Sequence, residues 1–509
     1  MHVTDGPAVL AVDQGTSATK AVLVDRDGVI ISSGSVPLSQ SHPHPGWAEQ
    51  DAQEIWASVQ AAVAACLDGQ DLDRVAAVGL STQRESTLVW ERDSGKPLGP
   101  MLGWQDGRGA DLCGRLREDG HSERVRAVSG LPVDPMFSAS KATWLLDEYD
   151  PDRTRSRRGE LCLGTVDSWL VACLGGEHVI ESGNASRTQL LDLSTRTWDP
   201  WLLDLFRVPE EVLPTVVPST GPFASAGNLH PLDQTVAVTG VLGDSHAALF
   251  AHGGWRPGQV KATYGTGSSV MGLTAQTEVG SPGLCRSIAW ETDRPSFAVE
   301  GNIRSSGATV AWLAALFGTT PAELASGAAD SSEGVHLVPA FTGMGAPWWD
   351  DQAVAVIAGM GFGTRREHLA RAALESIAFQ VEDVVAEVEH EVGLVATMLV
   401  DGGPTANPVL MQLQADTSGR SVRRALARDL SALGAAHMAG LSAGVWSVID
   451  LESLRRERES FEPRGDDISR ARRQDGWHGA VARSRLRPHD SAQHPRKPAT
   501  AGTGPMGDI

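Results

Sequence analysis

Residues 8–24 read AVLAVDQGTSATKAVLV, and this stretch decides the fold. The apolar run at 8–12 suits a buried strand, and Asp13-Gln14-Gly15-Thr16-Ser17 ends it with turn chemistry. A second apolar run follows at 21–24, and Asp25-Arg26-Asp27-Gly28 then turns the chain into Val29-Ile30-Ile31. Short apolar runs separated by polar turns predict an antiparallel meander. In the first turn Gly15 lets the backbone bend without a Cβ clash, so successive amides can face one anion. Thr16 and Ser17 add hydroxyl donors, and Asp13 suits a magnesium ion, directly or through water. The same residues also fit an ordinary hairpin closed by an Asx hydrogen bond.

The arrangement returns at residues 260–273, where Val260-Lys261-Ala262-Thr263 leads into Tyr264-Gly265-Thr266-Gly267-Ser268 and then Val270-Met271-Gly272-Leu273. Strand, Gly-Thr turn and strand occurring twice predict related domains joined near residues 251–258, with Gly-rich punctuation between them. We divide the chain into residues 1–252, 253–483 and a disordered Arg-, Pro-, Ser- and Gly-rich tail at 484–509. Helical spacing of apolar residues marks 51–67, starting near Asp51, and 367–391. Strands at 75–80 and 398–400 complete an α/β pattern. Gly402-Gly403-Pro404-Thr405-Ala406-Asn407, after the second of these, offers a third close backbone approach, suited to the adenosine part of a ligand or to a plain strand-to-helix connection.

Composition narrows the classes. A chain of 509 residues, 41% hydrophobic and 21% charged, reads as a soluble protein too long for one ordinary core. A formal net charge of −20 argues against a nucleic-acid partner, which needs a basic face. The 5 cysteines form no CxxC pair and the 15 histidines no ligand cluster, as expected in a reducing compartment. No basic flank with an apolar run opens the sequence and no stretch is apolar enough to span a membrane, so a cytoplasmic enzyme is expected. GxxxxGK[ST] is absent, which excludes a P-loop, and no GxGxxG follows a strand. Gly359-Met360-Gly361-Phe362-Gly363 is Gly-rich, but a close-packed turn explains it equally well. Oligomeric state is left open; a homo-oligomer is compatible with everything above.

Further segments accumulate in order: Pro45-Gly46-Trp47, Gln83-Arg84-Glu85, Gly95-Lys96-Pro97, Gly164-Thr165-Val166-Asp167, Asn184-Ala185-Ser186-Arg187-Thr188, Gly243-Asp244, VPAFTGMGAP at 338–347, LESIAFQ at 374–380, Asp401-Gly402-Gly403 and ALGAA at 432–436. With AVDQGT and TYGTG they make the chain resemble the FGGY carbohydrate kinases, and within them the glycerol kinase branch, from residue 8 to about 477. The resemblance implies two actin-like (ribonuclease-H-like) ATPase domains flanking a central cleft. It also implies ATP and Mg2+ as cofactors and phosphorylation of a terminal hydroxyl of glycerol or a related short polyol. Carried over position by position, Asp13, Gly15, Thr16 and Ser17 match the first phosphate turn, with Asp13 toward the metal, and Gly265 and Thr266 match the second. Lys20, Gly307, Ala311, Gly403 and Asn407 fall on nucleotide positions. Arg84, Glu85, Trp104, Met136, Asp244, Ser245 and Ser269 fall on polyol positions, with Asp244 as general base. A hydroxyl attacking a γ-phosphoryl group needs positioning, charge neutralisation and a proton acceptor, and these residue types supply them.

Several of these positions depart from the pattern. Met136 replaces the Tyr of Asp-Pro-Tyr-Phe-Ser, Ser245 a Gln after the catalytic Asp, and Ser269 a Phe after the second turn. Lys20 stands for an Arg and Ala311 for a Gln, and the Gly-Gly-Thr-Arg stretch that binds fructose bisphosphate in some bacterial relatives is not matched at 226–233. The polyol-side changes predict a roomier, more polar pocket that would admit four- and five-carbon polyols or ketoses, unless neighbours fill the gaps. A tetrulose or pentulose kinase is therefore the alternative. A non-catalytic nucleotide-binding regulator is the remote one, disfavoured because a sensor has no need of Asp13 and Asp244 together.

Overall fold

A computed structural model describes residues 6–255, 258–276 and 280–487. The opening stretch forms the expected meander: strands Ala8–Gln14, Ala18–Val24 and Ile30–Pro37, with Val12 opposite Ala21 and Asp13 opposite Lys20. Strand Val75–Thr82 joins parallel to the first, Asp13 beside Ser81, and Ala237–Gly243 joins parallel to that, Gly243 beside Thr82. An antiparallel edge strand, Thr220–Ser225, completes a 6-stranded sheet. The parallel register brings the carboxyl ends of its central strands to one edge, where residues 13–17, 81–85 and 243–245 converge; open α/β sheets bind ligands at such an edge.

A 7-stranded sheet repeats the plan in the second half. Val260–Tyr264 and Ser268–Thr274 form the hairpin, Pro295–Ile303 lies antiparallel beyond it, and Thr397–Asp401 runs parallel to Val260–Tyr264 with Thr263 beside Asp401. Cys285–Glu291, which the sequence reading did not separate out, adds an outer strand against Pro295–Ile303. The Gly265-Thr266 turn and the loop after Asp401 thereby share one edge. Apolar spacing works as expected in the helices: Ala52–Leu67 starts at Asp51, whose carboxylate accepts from Gln53 N and Glu54 N, and Arg366–Val392 buries Ala373, Ile377, Val381, Val384 and Val388.

Sequence order and packing diverge in one element. Helix Leu430–Ser442 belongs to the second half of the chain yet lies on the first sheet, where Ala432, Ala435 and Met438 share a core with Val9, Ala11 and Leu242. Glycines allow the close approach: a Cβ on Gly79 would lie 2.2 Å from Ala435 O, and one on Gly240 2.5 Å from Ala439 N. Against helix Asp244–Ala251 the contact is tighter still, a Cβ on Gly434 falling 1.8 Å from Ala247 O. A cut near residue 252 thus divides the sequence but not the packing.

The expected tail at 484–509 is corrected at its start. Ser484 closes helix Asp467–Ser484 fully buried, and Arg485 and Arg487 both pair with Asp350. Residues 488–509 lie outside the described residues. Residues 359–363 form a turn that is exposed rather than close-packed, apart from Gly359, where a Cβ would fall 2.1 Å from Gly334 O. Among the described residues no helix is long and apolar enough to cross a membrane.

Candidate active site

The Gly-Thr turns are built alike. Gly15 N donates to Ala18 O at 3.1 Å in the first, and Gly265 N to Gly267 O at 2.8 Å in the second. Thr16 is fixed from two sides: Gln50 Nε2 donates to its carbonyl at 2.9 Å and Trp104 Nε1 to its hydroxyl at 3.1 Å. Ser17 is exposed in the same turn. The second turn is braced by Ser306 N, which donates to Thr266 O at 2.8 Å, and by Gly307 N, which donates to Gly265 O at 3.0 Å. Only glycine fits at 307, since a Cβ would stand 2.6 Å from Gly265 O. Gly402, at φ +96°, would bring a Cβ within 2.0 Å of Tyr264 O, whereas Gly403 next to it faces open space. Asn407 caps helix Pro408–Ser418 through its side-chain oxygen, so a ligand can draw only on its amide nitrogen.

Two expected nucleotide contacts look different in place. Lys20 Nζ lies 2.6 Å from Asp429 Oδ1, at the start of helix Leu430–Ser442, so its charge already has a partner. Ala311 sits on the exposed side of helix Gly307–Leu316 beside Trp312, whose ring packs against Phe341 with centroids 4.8 Å apart. That surface offers apolar contact where a Gln would offer hydrogen bonds.

Asp13 receives a hydrogen bond from Ser81 Oγ at 2.7 Å. Burial, with Asp244 nearby, outweighs that bond and pushes its carboxyl up to about 7. A carboxylate held in such a place is ready for a cation. Among the described residues no group of three or more His, Cys, Asp or Glu would hold a metal by itself. Magnesium that keeps its waters and takes phosphate oxygens needs only one or two carboxylates, so Asp13 fits a metal arriving with a nucleotide.

On the polyol side Arg84 is the hub. Its Nη1 and Nη2 donate to Glu300 at 2.7 and 2.8 Å, leaving Nε 3.4 Å from Asp244 Oδ1. Gly243 makes room for it, since a Cβ there would sit 2.6 Å from Arg84 Cδ. Glu85 adopts φ +62°, accepts from Arg187 Nε at 2.6 Å on its carboxylate and from Ser138 Oγ at 3.0 Å on its carbonyl. Asp244 opens helix Asp244–Ala251 with its side chain 38% exposed to the cleft and Oδ1 accepting from Ser245 N at 2.6 Å. Enclosure raises the Asp244 carboxyl, Arg84 pulls it down and Glu85 pushes it up, for a net rise.

Met136 donates its amide to Asp134 Oδ1 at 2.9 Å, and Lys141 Nζ, fully buried, donates to the carbonyls of Pro135 and Met136. Met136 and Trp349 are both half-buried against the small cluster of Leu131, Phe137 and Cys285. Ser269 lies between Thr263 and Asn302 in the second sheet, and Ser245 O accepts from Lys261 Nζ at 3.2 Å. The sequence reading assigned no role to Ser81, Lys141, Arg187 or Glu300. A lone carboxylate at 300 in the apolar run SFAVEG is the signal that points to the last.

Paired sheets of one order, each presenting a Gly-Thr turn to a common edge with acidic residues between, define an actin-like, ribonuclease-H-like phosphotransferase architecture. Family models for the N-terminal and C-terminal domains of the FGGY family of carbohydrate kinases match residues 8–251 and 260–443. The chain belongs to that family, and is an ATP-dependent phosphotransferase with an alcohol group as acceptor. It is 42% identical over 489 residues to a glycerol kinase of Aromatoleum aromaticum, covering 94% of this chain and 98% of the relative. With a glycerol kinase of Geobacillus kaustophilus it shares 39% over 485 residues, 93% of this chain and 98% of the relative. Among solved structures, Plasmodium falciparum glycerol kinase with ADP superposes at a TM-score of 0.88 and 29% identity, covering 95% of this chain and 99% of that one. A ligand-bound xylulose kinase from Lactobacillus acidophilus, at a TM-score of 0.83 and 20% identity, shares the fold, covering 94% and 97% of the two chains.

Proposed function

We propose that the enzyme transfers the γ-phosphoryl group of ATP to a terminal hydroxyl of glycerol, with Asp244 as general base. The carrying observation is the Arg84–Asp244 pair, 3.4 Å apart, at the sheet edge that also holds Asp13 and the first Gly-Thr turn. Arg84 Nε and the Glu85 carboxylate grip adjacent hydroxyls and select the one that attacks. Asp244, its carboxyl raised by burial and by Glu85 against the pull of Arg84, accepts the proton of the attacking hydroxyl. Amides of the turns at Gly15-Thr16 and Gly265-Thr266 hold the phosphates from opposite sides. Magnesium, when bound through Asp13, offsets phosphate charge. The glycerol kinases among the relatives support this substrate. Free cysteines throughout support a cytoplasmic setting.

Ser245 and Ser269, smaller than the residues the family pattern carries, favour a second reading in which a four- or five-carbon polyol or ketose is used. A coupled ADP-release screen with glycerol, erythritol, threitol, erythrulose, xylitol, ribitol and the common pentuloses decides between them. Glycerol is expected to give the highest kcat/KM; a longer acceptor that exceeds it by a wide margin would replace it as substrate.

A further inference from the structure

Arg84 and Glu85 come from the first half of the chain, but Arg84 is held from the second half, and the Arg187 that holds Glu85 faces the same carboxylate there. Glu300, on strand Pro295–Ile303 of the second sheet, is fully buried between Met271 and Cys285 on the flanking strands. Its Oε2 and Oε1 take both terminal nitrogens of Arg84, at 2.7 and 2.8 Å. This leaves Arg84 a single free edge, Nε, aimed at Asp244 at 3.4 Å and at Glu85 at 4.0 Å. Glu300 Oε2 also lies 3.6 Å from Nη1 of Arg187, which is fully buried beneath it and whose Nη1 and Nη2 have no hydrogen-bond partner among the described residues. Arg187 uses its remaining nitrogen, Nε, to hold the Glu85 carboxylate at 2.6 Å. Burial would raise the Glu300 carboxyl, but Arg187 and Arg84 hold it well below the usual carboxylate range, so it stays an anion throughout.

We propose that Glu300 is the positioning residue for the polyol grip: from the second sheet it fixes Arg84 directly and Glu85 through Arg187. The proposal rests on the polyol-site reading above. A bidentate fork sets both the place and the plane of a guanidinium, which a neutral or shorter partner does not. Because the anchor sits in the other half, the grip on adjacent hydroxyls is complete only while the halves are packed together.

The test compares Glu300→Gln and Glu300→Asp with the unmodified full chain, using glycerol and propane-1,3-diol, which lacks the middle hydroxyl. Wild-type turnover of glycerol establishes the underlying reading first, and if another polyol proves to be the substrate, its analogue lacking the hydroxyl next to the attacking one takes the place of propane-1,3-diol. For Glu300→Gln we expect KM for glycerol to rise at least tenfold, the preference for glycerol over the diol to fall at least tenfold, and KM for ATP to stay within twofold. A merely structural role would lower both acceptors in proportion and leave the preference intact, which would overturn the proposal. Removing the anion leaves buried arginines uncompensated, so the Gln variant risks unfolding. Glu300→Asp keeps the charge and moves the fork by one methylene: a several-fold loss of preference supports positioning, and wild-type kinetics in this variant would overturn it.

Discussion

Replacing Asp13 by Asn separates what this carboxylate does for chemistry from what it costs the fold. In the unliganded protein burial and the neighbouring Asp244 raise Asp13 from an ordinary 3.8 to about 7. A folded-state pKa above the unfolded value means the protonated form is favoured in the fold. The contribution is therefore intact below about pH 4 and is lost as pH rises through about 7. The rise corresponds to at most ~4 kcal/mol at about 1.4 kcal/mol per pH unit, and partial exposure of the residue lowers this to ~2 kcal/mol. Asn is isosteric, stays neutral and can still accept from Ser81. The apo variant should thus match the wild type near pH 4 and be more stable by ~2 kcal/mol at pH 8, with the gap opening between. For a chain of 509 residues that is a shift of about 2 °C in melting temperature. The assay is a pair of thermal melts across pH 4–8, in which other titrating groups cancel in the difference. Turnover, in contrast, should fall by on the order of 10²-fold or more, because the site loses the anion that meets magnesium. Equal or lower stability at pH 8, or near-wild-type turnover, would refute the reasoning.

Gly434→Ala places a Cβ 1.8 Å from Ala247 O, and since backbone cannot yield cheaply the helices must part. A loss of ~1–3 kcal/mol is expected by denaturant unfolding, with reduced turnover because Asp244 heads one of those helices; a loss below about 0.5 kcal/mol would show the contact to be soft. Lys141→Met removes the amine that gathers the carbonyls of Pro135 and Met136. Initial rates should show KM for the polyol raised roughly tenfold with KM for ATP unchanged, and an unaltered polyol KM would detach this loop from the site.

Much of this architecture is legible because it is local. Residues 8–31 and 260–273 each carry strand, turn and strand within a few residues, and no distant contact is needed to read them. Helix Ala52–Leu67 likewise announces itself through apolar spacing and the Asp51 cap. Long-range packing was not legible. Nothing in ALGAA says that Gly434 meets Ala247 or that Ala435 rests on Gly79, because small residues mark a close contact without naming its partner. The site divides the same way. Asp13-Gln14-Gly15-Thr16-Ser17 suggests anion chemistry on its own terms, but Arg84-Glu85 and Asp244 read as surface residues until the family resemblance singles them out. Lys20 falls toward the nucleotide only through the family resemblance. Its pairing with Asp429 depends on a residue at φ +57° in a distant loop, which periodicity does not reveal. Glu300 depends on two arginines more than a hundred positions earlier, beyond the reach of any local pattern.

The most direct test of the central claim is glycerol-dependent ADP release by the wild type and by Asp244→Asn, with ADP binding measured on both. The account predicts robust glycerol-stimulated turnover in the wild type. In the variant it predicts a fall of on the order of 10²-fold or more in kcat, with ADP affinity within about twofold. Turnover in Asp244→Asn equal to the wild type, or ATP consumption that no polyol or ketose stimulates, would contradict it.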